Sequence, residues 1–473
     1  MKSLKKSACI CLVLLGFLCA LSGQGNRESL TSSAIERNVQ NTGISAILVD
    51  LNTLYQYLNM NYLYDIDIEK VKENLTKALV ASLDDPYSMY ISEDDMEEET
   101  ESLTGLYTGI GIYLTKMDPA FIDWEDESTY MVQVQSPFPG GPADIAGIRA
   151  RDMISHVDGK PVAQMDADEV SELLRGEEGV PMTLVVHRAD SVFEVTLTPE
   201  EVAVPSVSST IIPGTSYGYI SIATFTNSTY PLTSSALTDL SAQNMKALII
   251  DLRNNGGGTT NSAYLVANFF LETGDTIVNI EKKDGSVIRM NASDQTRKYD
   301  LPVVVLVNEG TASASEILTG ALKDNDRAVV IGETTFGKGV MQDVLPWDGG
   351  AIHFTSARYK TPGGNDINET GITPDITVTP PQMSDEELTD YYDFINEHYE
   401  DMVAWIDENP AYSIDNIEAF TALWQDEISF DPYYLRLMIR NQYIVSMNWE
   451  DRPIADPVYD IVLAAAVDYL DSL

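Results

Sequence analysis

Cysteine is nearly absent, with Cys9, Cys11 and Cys19 the only three in 473 residues. All three lie in one N-terminal apolar segment, so disulfides and thiolate chemistry are excluded from the rest of the fold. Basic residues are also few, 29 Lys and Arg against 73 Asp and Glu, giving a formal net charge of -44. That charge opposes binding to phosphate backbones and anionic bilayer surfaces, so nucleic acid is not an expected partner. Histidine occurs four times, at His156, His187, His353 and His398. There is no HExxH pair and no Cys/His cluster, so neither a metal nor an organic cofactor is expected. After Leu21 no apolar run approaches the ~20 residues a membrane-spanning helix needs.

What is present begins with Lys2, Lys5 and Lys6 ahead of an apolar run from Ala8 to Leu21, followed by Ser22 and Gly23. This layout predicts a secretory signal peptide over residues 1–22 and an exported protein of the periplasm or cell envelope. A retained membrane anchor is the alternative. Lipidation of Cys19 is a further one, disfavoured because Phe17 and Leu18 stand where small residues are wanted. The length exceeds the ~250–300 residues at which single cores stop growing, so at least two domains are expected.

From Ile44 to Leu83 the spacing of Val71, Leu75, Ala78, Leu79 and Leu83 predicts a helical N-terminal element, stopped by Asp84, Asp85 and Pro86. Gly105–Leu114 (GLYTGIGIYL) reads as a loop running into a strand. Strands follow at 130–135, 153–157, 182–186 and 193–197, with a short helix after the Pro-Gly-Gly-Pro turn at 139–142 and a second helix over 166–174. Beyond Pro205 strands alternate with helices as in an α/β layer. Strands are predicted at 217–226, 247–252, 303–307 and 328–331, and helices at 231–243, 262–271 and 314–322. After Pro380 the chain is acidic, Tyr-rich and helical, with Asp456 as N-cap and Pro457 at the first position of the last helix.

Residues 310–316 read GTASASE. Ser313 and Glu316 fit a capping box at the start of an apolar helix. The same position suits a nucleophile, because free N–H groups at a helix start can stabilise an oxyanion beside the serine. None of the four histidines supports a Ser-His-Asp triad: two fall in the β-rich segment, His398 in the acidic tail, and His353 alternates with apolar neighbours. Lysine can replace histidine when burial lowers its pKa. Lys338, in Phe336-Gly337-Lys338-Gly339, is the candidate, although a Gly-flanked lysine is commonly a surface turn residue. Residues 332–339 (GETTFGKG) also come within one residue of a P-loop, failing at Gly339, which cannot supply the hydroxyl that holds magnesium. Arg253–Gly258 (RNNGGG) forms a loop in which a glycine N–H can complete an oxyanion hole or merely connect.

Together these segments resemble the C-terminal processing (tail-specific) peptidases. In that family the nucleophile and the lysine lie 25 residues apart, as Ser313 and Lys338 do, and Gln342 occupies the position of a glutamine that orients the lysine. The resemblance runs from about Leu79 to Val378 through SLDDPYS, YTGIGI, ADIAGI, VDGKPV, LIIDLRNNGGG and GITPDI. It implies a multidomain α/β fold in which a ClpP/crotonase-like α/β peptidase core (200–382) carries an inserted PDZ-like β-rich domain (99–199). Helical N-terminal (23–98) and C-terminal (383–473) segments flank these. It places Ala314 with Gly257 or Gly258 in the oxyanion hole. It also assigns the loop Gly109, Ile110, Gly111 and Ile112 to capture of a substrate C-terminal carboxylate. Expected partners are proteins or peptides with exposed C-termini, with room for an adaptor protein and for a homo-oligomer. Arg149-Ala150-Arg151-Asp152 departs from the family's Pro-Gly turn, and residues 383–473 match only loosely. Two rival readings are a noncatalytic PDZ scaffold and a nucleotide-binding protein built on residues 332–339.

Overall fold

The first two helices are α1 (Ile44–Asn61) and α2 (Ile68–Ala81), where periodicity alone predicts one helical stretch. The break falls at Asp65–Asp67, and the Asp67 carboxylate accepts the Glu69 N–H at 3.0 Å, acting as the cap that starts α2. The structure, a computed structural model, describes residues 44–117, 130–189, 191–293, 299–447 and 451–473. The signal-peptide reading and the three cysteines lie outside the described residues. The chain divides after Thr76 into two compact units, and all that follows concerns the second. After α2 the segment Asp84–Ser88 leads into a short strand, β1 (Met89–Ile91), and then α3 (Met96–Thr104).

A β-rich region comes next: β2 (Leu106–Gly109), β3 (Ile112–Lys116), β4 (Val132–Pro137), α4 (Pro142–Ile145), β5 (Met153–Val157), β6 (Lys160–Pro161), α5 (Ala167–Arg175), β7 (Met182–Arg188), β8 (Ser191–Leu197) and β9 (Glu200–Ala203). The sheet runs β3-β4-β5-β7-β8, with β6 on β5, and β2 pairs separately with β9. Alternating burial along β4 and β7 turns Val132, Val134, Leu184 and Val186 inward against Val170 and Leu174 of α5. The Arg149–Asp152 turn forms without the expected Pro-Gly pair. Arg151 takes the left-handed conformation (φ 68°), and buried Asp152 accepts the Arg149 N–H and the Arg188 guanidinium.

The third region contains β10 (Val207–Ile211), β11 (Tyr217–Ile222), α6 (Thr229–Ala242), β12 (Ala247–Asp251), α7 (Thr260–Ala267), β13 (Thr276–Lys282), β14 (Val287–Asn291), β15 (Val303–Val307), α8 (Ala314–Asp324), β16 (Val329–Gly332), β17 (Val340–Trp347), β18 (Gly350–Lys360) and β19 (Ile376–Thr377). One sheet runs β10-β11-β12-β15-β16-β19, parallel from β11 onward. The apolar runs ALIID and VVVLV are buried along their whole length, as central parallel strands covered on both faces must be. The sequence analysis missed a second, antiparallel sheet, β1-β18-β13-β14 with β17 on β18. Its strands are partly exposed and carry polar residues among the apolar ones, so no continuous apolar run marks them.

The C-terminal stretch is α9 (Asp385–Glu408), α10 (Ile414–Trp424), α11 (Pro432–Ser446) and α12 (Ile461–Asp471). The first three enclose their own core around Phe394, Phe420, Leu435 and Ile439. The last lays Val462, Leu463, Ala466 and Leu470 on the face of the parallel sheet opposite α7 and α8, against Ile249, Val304, Leu306 and Ile331. Its N-cap is Asp460, not Asp456. Asp456 is drawn off by the Tyr412 hydroxyl and Arg440, which leaves Pro457 outside the helix.

Candidate active site

Three loops leave the carboxyl ends of adjacent parallel strands, where open α/β sheets place their sites. They are 252–259 after β12, 308–313 after β15 and 333–339 after β16. They are sewn together by polar bonds. Asn254 and Asn308 exchange two hydrogen bonds, of 2.8 and 2.9 Å. The Thr311 hydroxyl donates to the Leu252 carbonyl at 2.8 Å. The Ala312 N–H and the Ser315 hydroxyl both donate to the Asn255 carbonyl at 3.0 Å. Arg253 pairs with Asp251 and also with Asp460 at 2.8 Å, which ties the first loop to the start of α12.

Ser313 stands at the start of α8 with φ 56°, a left-handed conformation that costs a β-carbon-bearing residue of order 1–3 kcal/mol. Ser313 and Glu316 meet as the capping-box reading expects, with Glu316 accepting the Ser313 N–H. The buried Tyr359 phenol lies near this serine and donates to the Lys338 carbonyl.

The fully buried Glu316 carboxylate takes four donors. One oxygen accepts the Thr335 hydroxyl at 2.6 Å and the Gly337 N–H at 2.8 Å. The other accepts the N–H of Ser313 and the N–H of Lys338, each at 2.9 Å. A single carboxylate thus joins the serine and lysine segments. Behind Lys338, Gly371 packs so tightly that a Cβ there would lie 2.1 Å from the Thr335 carbonyl oxygen, and the Ile372 N–H donates to the Thr335 hydroxyl at 2.7 Å. Strand β17 follows this loop, so the helix that a P-loop requires after its glycines is missing.

The Lys338 ammonium lies 4.4 Å from the centroid of the Tyr87 ring. Burial holds its pKa below the ordinary lysine value, and the Asp85 carboxylate partly opposes that shift. Asp85 is itself held below the usual carboxylate range. Burial raises it, but bonds from Ser88, Thr355 and the Tyr87 N–H, with the charge of Lys338, outweigh burial. These residues arrive through β1, which pairs Met89 with His353 of β18. The expected Gln342–Lys338 contact is replaced here: the Gln342 amide donates to the Thr355 hydroxyl at 3.4 Å.

At the expected oxyanion position, Gly257 touches the Ser313 turn, and a Cβ on it would come within 2.7 Å of the Ser313 Cβ. Its N–H is committed to the Asn255 side chain at 2.9 Å, so it is not the free donor the resemblance implied. The N–H groups of Ala314 and Gly258 donate to no acceptor among the described residues. The four histidines have partners elsewhere: His156 and His187 on Ser155, His353 beside Glu99, His398 on Asp401. In the β-rich region the loop Gly109–Ile112 is buried and runs directly into β3, the edge strand of its sheet.

Sequence reasoning missed Asp85, Tyr87, Thr355 and Tyr359, and it saw Glu316 only as a cap. SLDDPYS contributed to the resemblance as a motif, whereas no pattern marks Thr355 or Tyr359 before β18 is paired.

Comparison with known proteins bears on the family. The profile of peptidase family S41 matches residues 216–378, and that of a PDZ domain matches residues 133–188. A "Probable CtpA-like serine protease" of Staphylococcus aureus strain N315 is 35% identical over 339 residues, which is 71% of this chain and 66% of that protein. One of the same description from Staphylococcus haemolyticus strain JCSC1435 is 33% identical over 330 residues, 69% of this chain and 64% of that protein. The match therefore spans slightly less than two thirds of these relatives. Among solved structures, the photosystem II D1 C-terminal processing protease shares 33% identity over 69% of this chain and 86% of its own, with a TM-score of 0.41. The chain belongs to peptidase family S41 and carries a PDZ domain.

Proposed function

We propose that the protein is an exported serine endopeptidase that cleaves proteins or peptides selected by their C-terminal tails. The observation that carries this reading is the Glu316 oxygen that holds the Ser313 and Lys338 N–H groups together, each at 2.9 Å. Ser313 Oγ attacks the scissile carbonyl carbon while its proton passes to neutral Lys338 Nζ. The electron pair displaced onto the carbonyl oxygen is stabilised by the Ala314 and Gly258 N–H groups. Collapse of the tetrahedral intermediate expels the amine, which takes the proton from Lys338. Water, deprotonated by Lys338, then hydrolyses the acyl ester. In this reading Gln342 turns from Thr355 to orient the lysine. The place of β3 at the end of its sheet among the described residues supports tail capture by strand addition, with the Ile110–Ile112 N–H groups receiving the terminal carboxylate. The parallel order β11-β12-β15-β16 with α7 and α8 against it supports a ClpP/crotonase-like core. Export rests on the sequence of residues 1–22.

The test is digestion of an unfolded model protein with an apolar C-terminal tail by wild type, Ser313→Ala and Lys338→Ala. Cleavage by wild type alone supports the dyad, and undiminished cleavage by Ser313→Ala overturns it. The pH profile carries a second expectation. The base works unprotonated, so kcat/KM rises with pH through the Lys338 pKa, which burial holds below that of free lysine. Asp85 favours the ammonium form, so Asp85→Asn removes that support and moves the acid limb to lower pH. An acid limb that stays in place in Asp85→Asn would count against Lys338 as the titrating group.

A further inference from the structure

The loop 252–259, which carries the Gly258 N–H proposed as an oxyanion donor, is held from a direction the family match does not reach. That match ends at residue 378, whereas the helix bracing the loop, α12, spans Ile461–Asp471. Asp460 is the N-cap of this helix, and one of its carboxylate oxygens accepts the Leu463 N–H at 3.0 Å. The same carboxylate receives two guanidinium donors of Arg253, Nη1 at 2.9 Å and Nη2 at 2.8 Å. On the other side of the fork, Asp251 accepts Arg253 Nε at 3.0 Å and Nη2 at 2.6 Å, together with the Arg253 backbone N–H at 3.0 Å. Asp251 is itself fixed by the Tyr219 hydroxyl at 2.8 Å. Arg253 therefore lies between two carboxylates, one ending the central strand β12 and the other starting α12. Beyond it the loop has little slack: the Asn255 amide donates to the Ile222 carbonyl at 2.7 Å, and its side-chain oxygen accepts the Gly257 N–H at 2.9 Å.

We propose that Asp460 is a positioning residue for catalysis, which acts through Arg253 to fix the loop 252–259 and with it the Gly258 N–H beside Ser313. The inference rests on the oxyanion role given to Gly258 in the proposed function. Two parallel hydrogen bonds between a guanidinium and a carboxylate set an angle as well as a distance. The carboxylate is a firm anchor, because Val462 and Leu463 next to it are buried on the parallel sheet against residues that include Ile249 and Leu306. Arg253 and Asp460 keep 21% and 24% of their side chains exposed, so the pair adds modestly to stability. Its effect on geometry is larger, since an oxyanion donor counts only when it is already aimed at the place where charge develops. A small shift of the loop weakens binding of the transition state and leaves ground-state binding of a peptide nearly unchanged.

The experiment compares single-turnover cleavage of a tailed peptide by the full chain as wild type, Asp460→Asn, Arg253→Lys, the double variant and Leu470→Ala. Asparagine keeps a good N-cap, but it turns an NH₂ group or a single neutral oxygen toward the Arg253 fork. Loss of one charge-assisted bond corresponds to roughly tenfold, so kcat of Asp460→Asn is expected to fall about tenfold with KM nearly unchanged. Affinity for a peptide aldehyde, whose oxygen takes the oxyanion position once Ser313 adds to it, should fall by the same factor. Lysine cannot reproduce the fork, so Arg253→Lys should match Asp460→Asn, and the double variant should be no worse than either single one. Leu470→Ala loosens the far end of α12 and spares the ion pair, so its melting temperature should drop while kcat of the folded enzyme holds. Wild-type kcat and aldehyde affinity in Asp460→Asn overturn the positioning role. An equal loss of kcat in Leu470→Ala also overturns it, because docking of the helix would then suffice as the cause. Undiminished cleavage by Ser313→Ala overturns instead the serine mechanism on which the inference rests.

Discussion

Glu316→Ala is expected to lower kcat by about 10³-fold or more and to destabilise the fold by about 3–5 kcal/mol. The stability loss follows from the four donors that the carboxylate satisfies, from Thr335, Gly337, Ser313 and Lys338. Each buried donor left without a partner costs about 1–3 kcal/mol, with incomplete additivity within one network. The rate loss follows from geometry, since a displacement of about 1 Å in the reacting groups costs roughly 10²-fold, and this carboxylate fixes two of them at once. Glu316→Gln keeps one acceptor oxygen and turns an NH₂ group toward the other pair of donors, so its effects should fall between those of wild type and Glu316→Ala. Urea unfolding and single-turnover cleavage measure the two quantities separately. A folded Glu316→Ala enzyme with near-wild-type kcat would remove Glu316 from the positioning role.

Gly257→Ala should fold and yet lose about 10²-fold in kcat. The methyl group would stand 2.7 Å from the Ser313 Cβ and 2.9 Å from the Ala312 carbonyl oxygen, both closer than real contacts allow. The backbone at Gly257 has φ 108°, a conformation that disfavours side chains, and such strain costs about 1–3 kcal/mol. One partner must move. The Ala312 turn is tethered through Asn255 and sits at the head of α8, which is buried from Ala314 to Leu322, so relief comes by tilting Ser313 away from the Ala314 N–H. The signature is a fall in kcat with little change in KM for a tailed peptide, because the loop proposed to capture the tail lies in another region of the chain. Unchanged kcat would show that this glycine is not in contact with the working nucleophile.

Much of this protein is legible before folding. The apolar runs ALIID and VVVLV announce buried parallel strands, since burial on both faces leaves no polar position to alternate with. GTASASE and FGKG at their spacing announce the serine and the lysine through chemistry that few other residue sets supply. The antiparallel sheet was not legible: β13, β14, β17 and β18 carry mixed polarity, and β18 pairs with β1 and β13 from far along the chain. The last helix was misplaced by the Asp456-Pro457 pair, a sound local start signal overruled when Tyr412 and Arg440 drew Asp456 away.

The sequence by itself determined the class of chemistry, because a serine at a helix start and a glycine-flanked lysine are properties of short segments. It also determined the order of the PDZ-like and α/β regions. Only the tertiary structure decided which groups are free to act. It spent the Gly257 N–H on Asn255, left those of Ala314 and Gly258 without an acceptor among the described residues, and set Lys338 over Tyr87. Hydrogen-bond commitment and burial depend on partners brought from distant parts of the chain, and no local pattern records them.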